Sequence, residues 1–175
     1  MNEWTKSLFQ AKMHPILRAS ITSGSLYILG DLTNQFWIRQ QEWDMDQTWK
    51  FALTGALLHG PYFLFGFRKL DRLFPTKDFK NIILKTMAGQ VFLFPPFVAV
   101  YLSANALLHS KSPVDELKGR FIEINKTGLI VWPLANLFQF RYIPSDYRVL
   151  YVNLIGLGWN TYLSMASHEL KKNAV

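Results

Sequence analysis

The chain of 175 residues contains no cysteine, which excludes disulfides, thiolate metal sites, cysteine nucleophiles and regulation by thiol oxidation. Its four histidines, His14, His59, His109 and His168, show no metal-ligand spacing, and Gly156-Leu157-Gly158 lacks the third glycine of a dinucleotide loop. No metal, no cofactor and no enzymatic activity are therefore expected. Acidic residues are also scarce, 12 against 19 Lys and Arg, for a formal charge of +7. Such a charge suits a nucleic-acid binder only if it lines one accessible face. No exposed basic motif of that kind occurs, and no direct nucleic-acid binding is expected.

What is abundant is apolar and aromatic: 50% of residues are hydrophobic, including 14 Phe, 7 Tyr and 6 Trp. The mean hydropathy of only +0.07 hides segregation into blocks. Uncharged stretches run over 19–30, 51–67, 86–110, 127–140 and 149–168. A membrane-crossing helix needs about 20 mostly apolar residues, with a range of roughly 17 to 25. Three stretches meet that length alone; the first does so only with Asp31 inside it, and the fourth only by borrowing its flanks. The reading is an all-α fold in a single membrane domain over 1–175, a polytopic bundle of four to five kinked spanning helices with short interfacial amphipathic helices. The expected spans are 16–38, 51–67, 86–108, 127–143 and 149–168. A soluble helical bundle fits less well, because Phe51 to Phe67 leaves no polar face for water.

Charge between the blocks gives an orientation. Residues 68–85 hold six Lys and Arg against two Asp, whereas 31–50 hold two against four acids. The amino terminus and the 68–85 segment thus share one side, with the acidic segment and its flanking Trp37, Trp43 and Trp49 opposite. Ser112 as a cap, Pro113 at the first helical position, and Val114, Leu117, Phe121 and Ile124 at helical spacing predict an interfacial amphipathic helix over 113–126. Residues 1–18 lack the pattern of a cleaved secretory signal.

Polar groups recur inside the blocks. Ser20, Gly24, Tyr27, Asp31 and Gln35 share one helical face, as do Asn153, Gly156, Asn160, Ser164 and Ser167; Gln90, Asn136 and Gln139 occupy the third and fourth blocks. Asp31, Gln35, Gln90, Asn136, Gln139, Asn153 and Asn160 are the candidate pore-lining residues. Amides and small residues also act as ordinary packing contacts between membrane helices. A carboxylate at membrane depth costs on the order of 3 kcal/mol, which makes Asp31 a functional candidate; an interfacial place near Trp37 is the alternative. Gly24, Ala56 and Gly60 suit close helix packing, and Pro61, Pro95, Pro133 and Pro144 are expected to kink helices.

The block Trp132-Pro133, Asn136, Gln139-Phe140, Pro144, Tyr147-Arg148 and Trp159-Asn160-Thr161-Tyr162-Leu163-Ser164 resembles the signature of the Mpv-seventeen family of small integral membrane proteins, which includes the twenty-two-kilodalton peroxisomal membrane protein. Leu29-Gly30-Asp31 with Gln35, Gly60-Pro61, Leu70-Asp71-Arg72 with Pro75, and Lys85 with Gln90 and Pro95 follow the family's order. Asn136 and Gln139 exchange the family's usual amides, and Gly89 stands where an acidic residue commonly precedes Gln90. If that acid sets ion selectivity in relatives, this chain lacks its contribution. The resemblance implies four membrane helices, the mitochondrial inner membrane or alternatively the peroxisomal membrane, and a weakly selective channel activity serving organelle homeostasis.

Two functions follow as expectations: a channel or small-solute pore, and a non-conducting scaffold of the organelle membrane. The expected partners are the lipid bilayer and small solutes or ions, with self-association open.

Overall fold

The computed structural model of the protein describes residues 13–159. All regular structure among them is helical. Helix α1, Pro15–Thr33, starts with proline in its first turn, where the missing N–H costs nothing, and widens into a π turn at Asn34–Ile38. It stops at Gln40, whose φ of 50° breaks the helical path. Asp44 caps α2, Met45–Leu53, by accepting from the Gln47 amide at 3.0 Å. A π turn at Thr54–His59 then leads without a break into α3, Gly60–Leu73. Asp78 caps α4, Phe79–Ala88, which passes through a third π turn, Gly89–Leu93, into α5, Phe94–Leu108.

Two of the three π turns end just before Pro61 and Pro95. Proline lacks the N–H of the α-helical ladder and crowds the carbonyl four residues back. A wider turn relieves both problems while the helix continues. Pro133 is instead held inside α6, Pro113–Tyr142, a single helix of 30 residues. Pro144 kinks no helix, contrary to expectation: it lies in the connection after Tyr142, before the short turn Ser145–Tyr147. The separate interfacial helix expected over 113–126 is corrected as well, because α6 runs unbroken from Pro113 through the expected fourth span. The change from charged to apolar sequence near Thr127 alters the surface and leaves the backbone helical. The last described helix, α7, covers 148–159.

One helical stretch among the described residues, Phe79–Leu108, is long and apolar enough to cross a membrane, with 30 residues. The 45–73 and 113–142 helices carry more charge.

Small residues bring α1 against the α2–α3 helix. A Cβ on Gly60 would lie 2.5 Å from the Ala19 carbonyl oxygen, and one on Gly24 3.2 Å from Ala56 Cβ. The central core is aromatic: Phe63, Phe67, Phe97 and Phe140 pack with Leu70, Ile82 and Val152. A second cluster, Phe94, Val98 and Leu102, joins α5 to Leu117, Phe121 and Trp132 of α6. Helix α7 closes the bundle, with Tyr151 stacked on Phe138 of α6 at 5.8 Å and Asn153 bonded to Ser23 of α1. Large apolar side chains also face outward, among them Trp37, Leu57, Phe92 and Ile130, each more than 70% exposed.

Candidate functional site

The up-and-down course collects charge at two ends. One end holds Arg18, Arg68, Lys69, Arg72, Lys77, Lys80, Lys85, Arg141 and Arg148 against Asp71, Asp78 and Asp146; a 3.2 Å ion pair from Arg18 to Asp146 ties its first and last segments together. The 31–50 and 109–126 segments share the other end, where acids and bases nearly balance.

Between the ends, polar side chains form separate groups. At the nearly neutral end, Asp31 and Gln35 are 1% and 0% exposed. Asp31 Oδ2 accepts from Gln35 Nε2 and Thr48 Oγ1, each at 2.7 Å, and Oδ1 accepts from Gln47 Nε2. Gln35 Oε1 in turn accepts from the Asp44 amide at 2.6 Å. The carboxylate is fully used in closing the α1–α2 hairpin, on a π turn that aims Gln35 inward.

A second group joins three helices. Asn153 Nδ2 donates to Ser23 Oγ at 2.8 Å, and Ser23 Oγ lies 3.3 Å from His59 Nδ1. The His59 ring is boxed by Phe63, Phe97 and Tyr27, with centroids at 4.6, 5.2 and 5.3 Å. Sequence reasoning missed Ser23 and His59. The available signal was Ser23 beside Gly24 in the polar face of the first block.

The third group lies where α4 and its π turn run antiparallel to α6. Gln139 Nε2 donates to Asn136 Oδ1 at 2.8 Å, and a Cβ on Gly89 would lie 4.0 Å from Asn136 Nδ2. Here Thr86 Oγ1, Gln90 Oε1 and Gln139 Oε1 are buried with no hydrogen-bond partner in the protein. Buried polar atoms are normally satisfied; on the same helix pair Glu116 Oε2, Asn125 Oδ1 and Trp132 Nε1 also lack a hydrogen-bond partner. Thr86 gave no signal in the sequence, being an isolated threonine.

Next to this group, at the basic end, Lys85 Nζ donates to Asp71 Oδ1 at 2.7 Å, and Arg148 Nη1 donates to both Asp71 oxygens at 2.7 and 2.6 Å. Lys85 and Arg148 are each 3% exposed and lie over the Phe140 ring at 5.4 and 5.1 Å. Burial pushes the Asp71 carboxyl upward, but its bonds to Arg148 and Lys85 outweigh that and hold it below the usual carboxylate range.

Of the candidate pore residues, the structure pairs Asp31 with Gln35 and Asn136 with Gln139, places Gln90 on the adjoining π turn Gly89–Leu93 and sends Asn153 to Ser23. Gly24 and Ala56 meet across the α1 seam. Of the signature residues, Trp132 packs on Phe94 at 5.7 Å, Tyr147 is exposed in the turn and Trp159 ends the described chain. Asn160, Tyr162, Ser164 and Ser167 lie outside the described residues. No group of three or more His, Asp or Glu side chains that could hold a metal occurs among the described residues.

The Mpv17 / PMP22 family profile matches residues 106–164. Protein sym1 of Aspergillus oryzae is 34% identical over 90% of this chain and 94% of its own length. The chain belongs to the Mpv17 / PMP22 family. Other members it is similar to include PXMP2/4 family protein 4 of Dictyostelium discoideum, 29% identical over 90% of this chain and 89% of that one. A third, the mitochondrial inner membrane protein Mpv17 of Drosophila melanogaster, is 28% identical over 88% of this chain and 96% of its own. No solved structure matches. As an Mpv17 / PMP22 member the chain is a protein of an organelle membrane, and the mitochondrial inner membrane is the compartment named for the Drosophila relative.

Proposed function

We propose that the chain is a multi-pass protein of the mitochondrial inner membrane, with the peroxisomal membrane as the alternative, and that its bundle is a weakly selective pore for small solutes serving organelle homeostasis. It carries no catalysis in this reading. Helices over 15–38, 45–73, 79–108 and 113–142 each exceed the roughly 20 residues needed to cross a hydrocarbon core. Outward-facing apolar side chains between a basic and a nearly neutral end suit a bilayer, with the basic end on the positive-inside face. The fifth expected span, 149–168, extends beyond the described residues.

The observation that carries the pore is the trio of orphan oxygens on Thr86, Gln90 and Gln139. Acceptors without protein donors are what a hydrated path requires. Asp31 and Gln35 favour the scaffold reading for their own end, since their bonds are all internal. The path is therefore assigned to the α4–α6 interface, past Gln90, Asn136 and Gln139.

The test is conductance of the purified protein in a planar bilayer. Stepwise events whose amplitude falls in a Gln90→Leu/Gln139→Leu variant support the path. Absence of events from folded protein leaves the scaffold reading; events unchanged by the variant move the path elsewhere.

A further inference from the structure

At the basic end, where α4 begins and α6 ends, Lys77, Asp78, Phe79, Ile82 and Arg141 line a cavity of about 300 Å³. Its floor is the buried side chain of Ile82, and its outer wall is Phe79, 77% exposed. Arg141 Nη1 donates to the Lys77 carbonyl oxygen at 3.3 Å, which holds the guanidinium over the opening. Neither Lys77 nor Arg141 forms an ion pair with a carboxylate among the described residues. The acid in the lining, Asp78, is occupied: its oxygens accept from the Asn81 amide, Asn81 Nδ2 and Thr76 Oγ1. One helical turn past Ile82 on the same face of α4, Lys85 and Arg148 share a single carboxylate, leaving a buried net positive charge beneath the cavity.

We propose that this cavity binds the headgroup of an anionic phospholipid, its phosphate between Lys77 and Arg141 and an acyl chain along the exposed apolar face of α4. Charge complementarity selects the headgroup. With the Asp78 carboxylate counted, the lining and the buried centre beneath it still sum to net positive charge, which favours a net negative phosphodiester over a net neutral zwitterion. The apolar continuation selects a lipid over a free anion: past Phe79, the outward residues Leu84, Met87, Val91 and Phe92 run toward the middle of the bundle. A phosphate alone leaves that face unused. Basic pockets between helix ends on the positively charged face of a membrane protein suit such headgroups on electrostatic grounds. The site depends on the membrane reading above but not on conduction.

Retention of dioleoyl-phosphatidylglycerol against dioleoyl-phosphatidylcholine by the full chain, purified in mixed micelles and weighed by native mass spectrometry, is the test. The anionic lipid is expected to be retained in preference. Lys77→Gln and Arg141→Gln should each weaken retention about five-fold, and both together on the order of 25-fold. Arg141→Lys keeps most of the preference, and Arg39→Gln at the opposite end leaves it unchanged. Equal retention of the two lipids, or full retention by the double variant, overturns the site. So does inorganic phosphate competing as well as the lipid at equal concentration, since the cavity then reads a free anion. Alkaline extraction of membranes separates the two readings: a chain released from the membrane removes the membrane reading, whereas a retained chain without lipid preference removes only this site.

Discussion

Arg148 grips Asp71 across 77 residues of sequence, its Nη1 within 2.7 Å of both carboxylate oxygens, while Lys85 reaches the same group from a third helix. This contact fastens the start of α7 to the ends of α3 and α4 at one boundary of the bundle. Two cations nine-tenths buried on one acid cannot lose that acid without leaving positive charge unpaired. Asp71→Asn is therefore expected to destabilise by about 3–5 kcal/mol, read as a lowered thermal midpoint in detergent. Asp71→Glu should recover part of the loss, and an unchanged midpoint in the Asn variant would remove the contact from any stabilising role.

The same network sets an acid limit. Asp71 has a folded-state pKa below its unfolded value, so its contribution is complete above the unfolded value near 4 and is lost as pH falls through the folded one. Thermal midpoints should drop below about pH 4 in the wild type. In Asp71→Asn that part of the drop should be absent, so the two curves converge at low pH. Parallel curves would place the acid sensitivity elsewhere.

Asp31 accepts from Gln35, Thr48 and Gln47 at once, so the hairpin it closes needs an acceptor at both oxygens. Asparagine replaces one oxygen with a donor that faces another donor. Asp31→Asn should cost about 1–3 kcal/mol, without altering the amplitude of any conductance. A changed amplitude at unchanged stability would return Asp31 to the lining of the path.

Close helix approach makes a contrasting pair of glycines. A Cβ at Gly60 would meet the Ala19 carbonyl at 2.5 Å, a backbone atom that cannot step aside, whereas one at Gly119 meets nothing within 4 Å. Gly60→Ala should destabilise by about 1–3 kcal/mol through forced separation of α1 and α3. Gly119→Ala, mid-helix and exposed, should stabilise by about 1 kcal/mol through helix propensity alone. Opposite signs in thermal unfolding check the seam.

Much of this was legible from the order of residues, and the reasons are local. Uncharged blocks and helical spacing placed the helices, and the polar face of the first block contains Gly24, Asp31 and Gln35, all buried in the fold. What was not legible depends on partners far apart in the chain. Ser23 and Asn153 meet across 130 residues, and Asp71 and Arg148 across 77, with nothing in their spacing to announce it. The boundary drawn near residue 126 failed for a different reason: a change in side-chain polarity marks a change of surroundings, and α6 passes through it on an unbroken backbone ladder.

The orphan oxygens give the sharpest contrast between stability and function. Gln139 is fully buried, donates to Asn136 Oδ1 at 2.8 Å and leaves its own Oε1 unpartnered. A structural amide pair would satisfy both ends, because a lone buried acceptor costs about 1–3 kcal/mol. An acceptor left open in this way suits a place where water or a solute supplies the donor. Replacing both partners by leucine removes both amide donors and both acceptors, the orphan included, so Asn136→Leu/Gln139→Leu is expected to hold or raise the thermal midpoint while lowering conductance. Gln139→Leu alone should be less stable than the double variant, since it strands Asn136 Oδ1 instead. A double variant that unfolds readily would show that the amides serve packing and that the interface is dry.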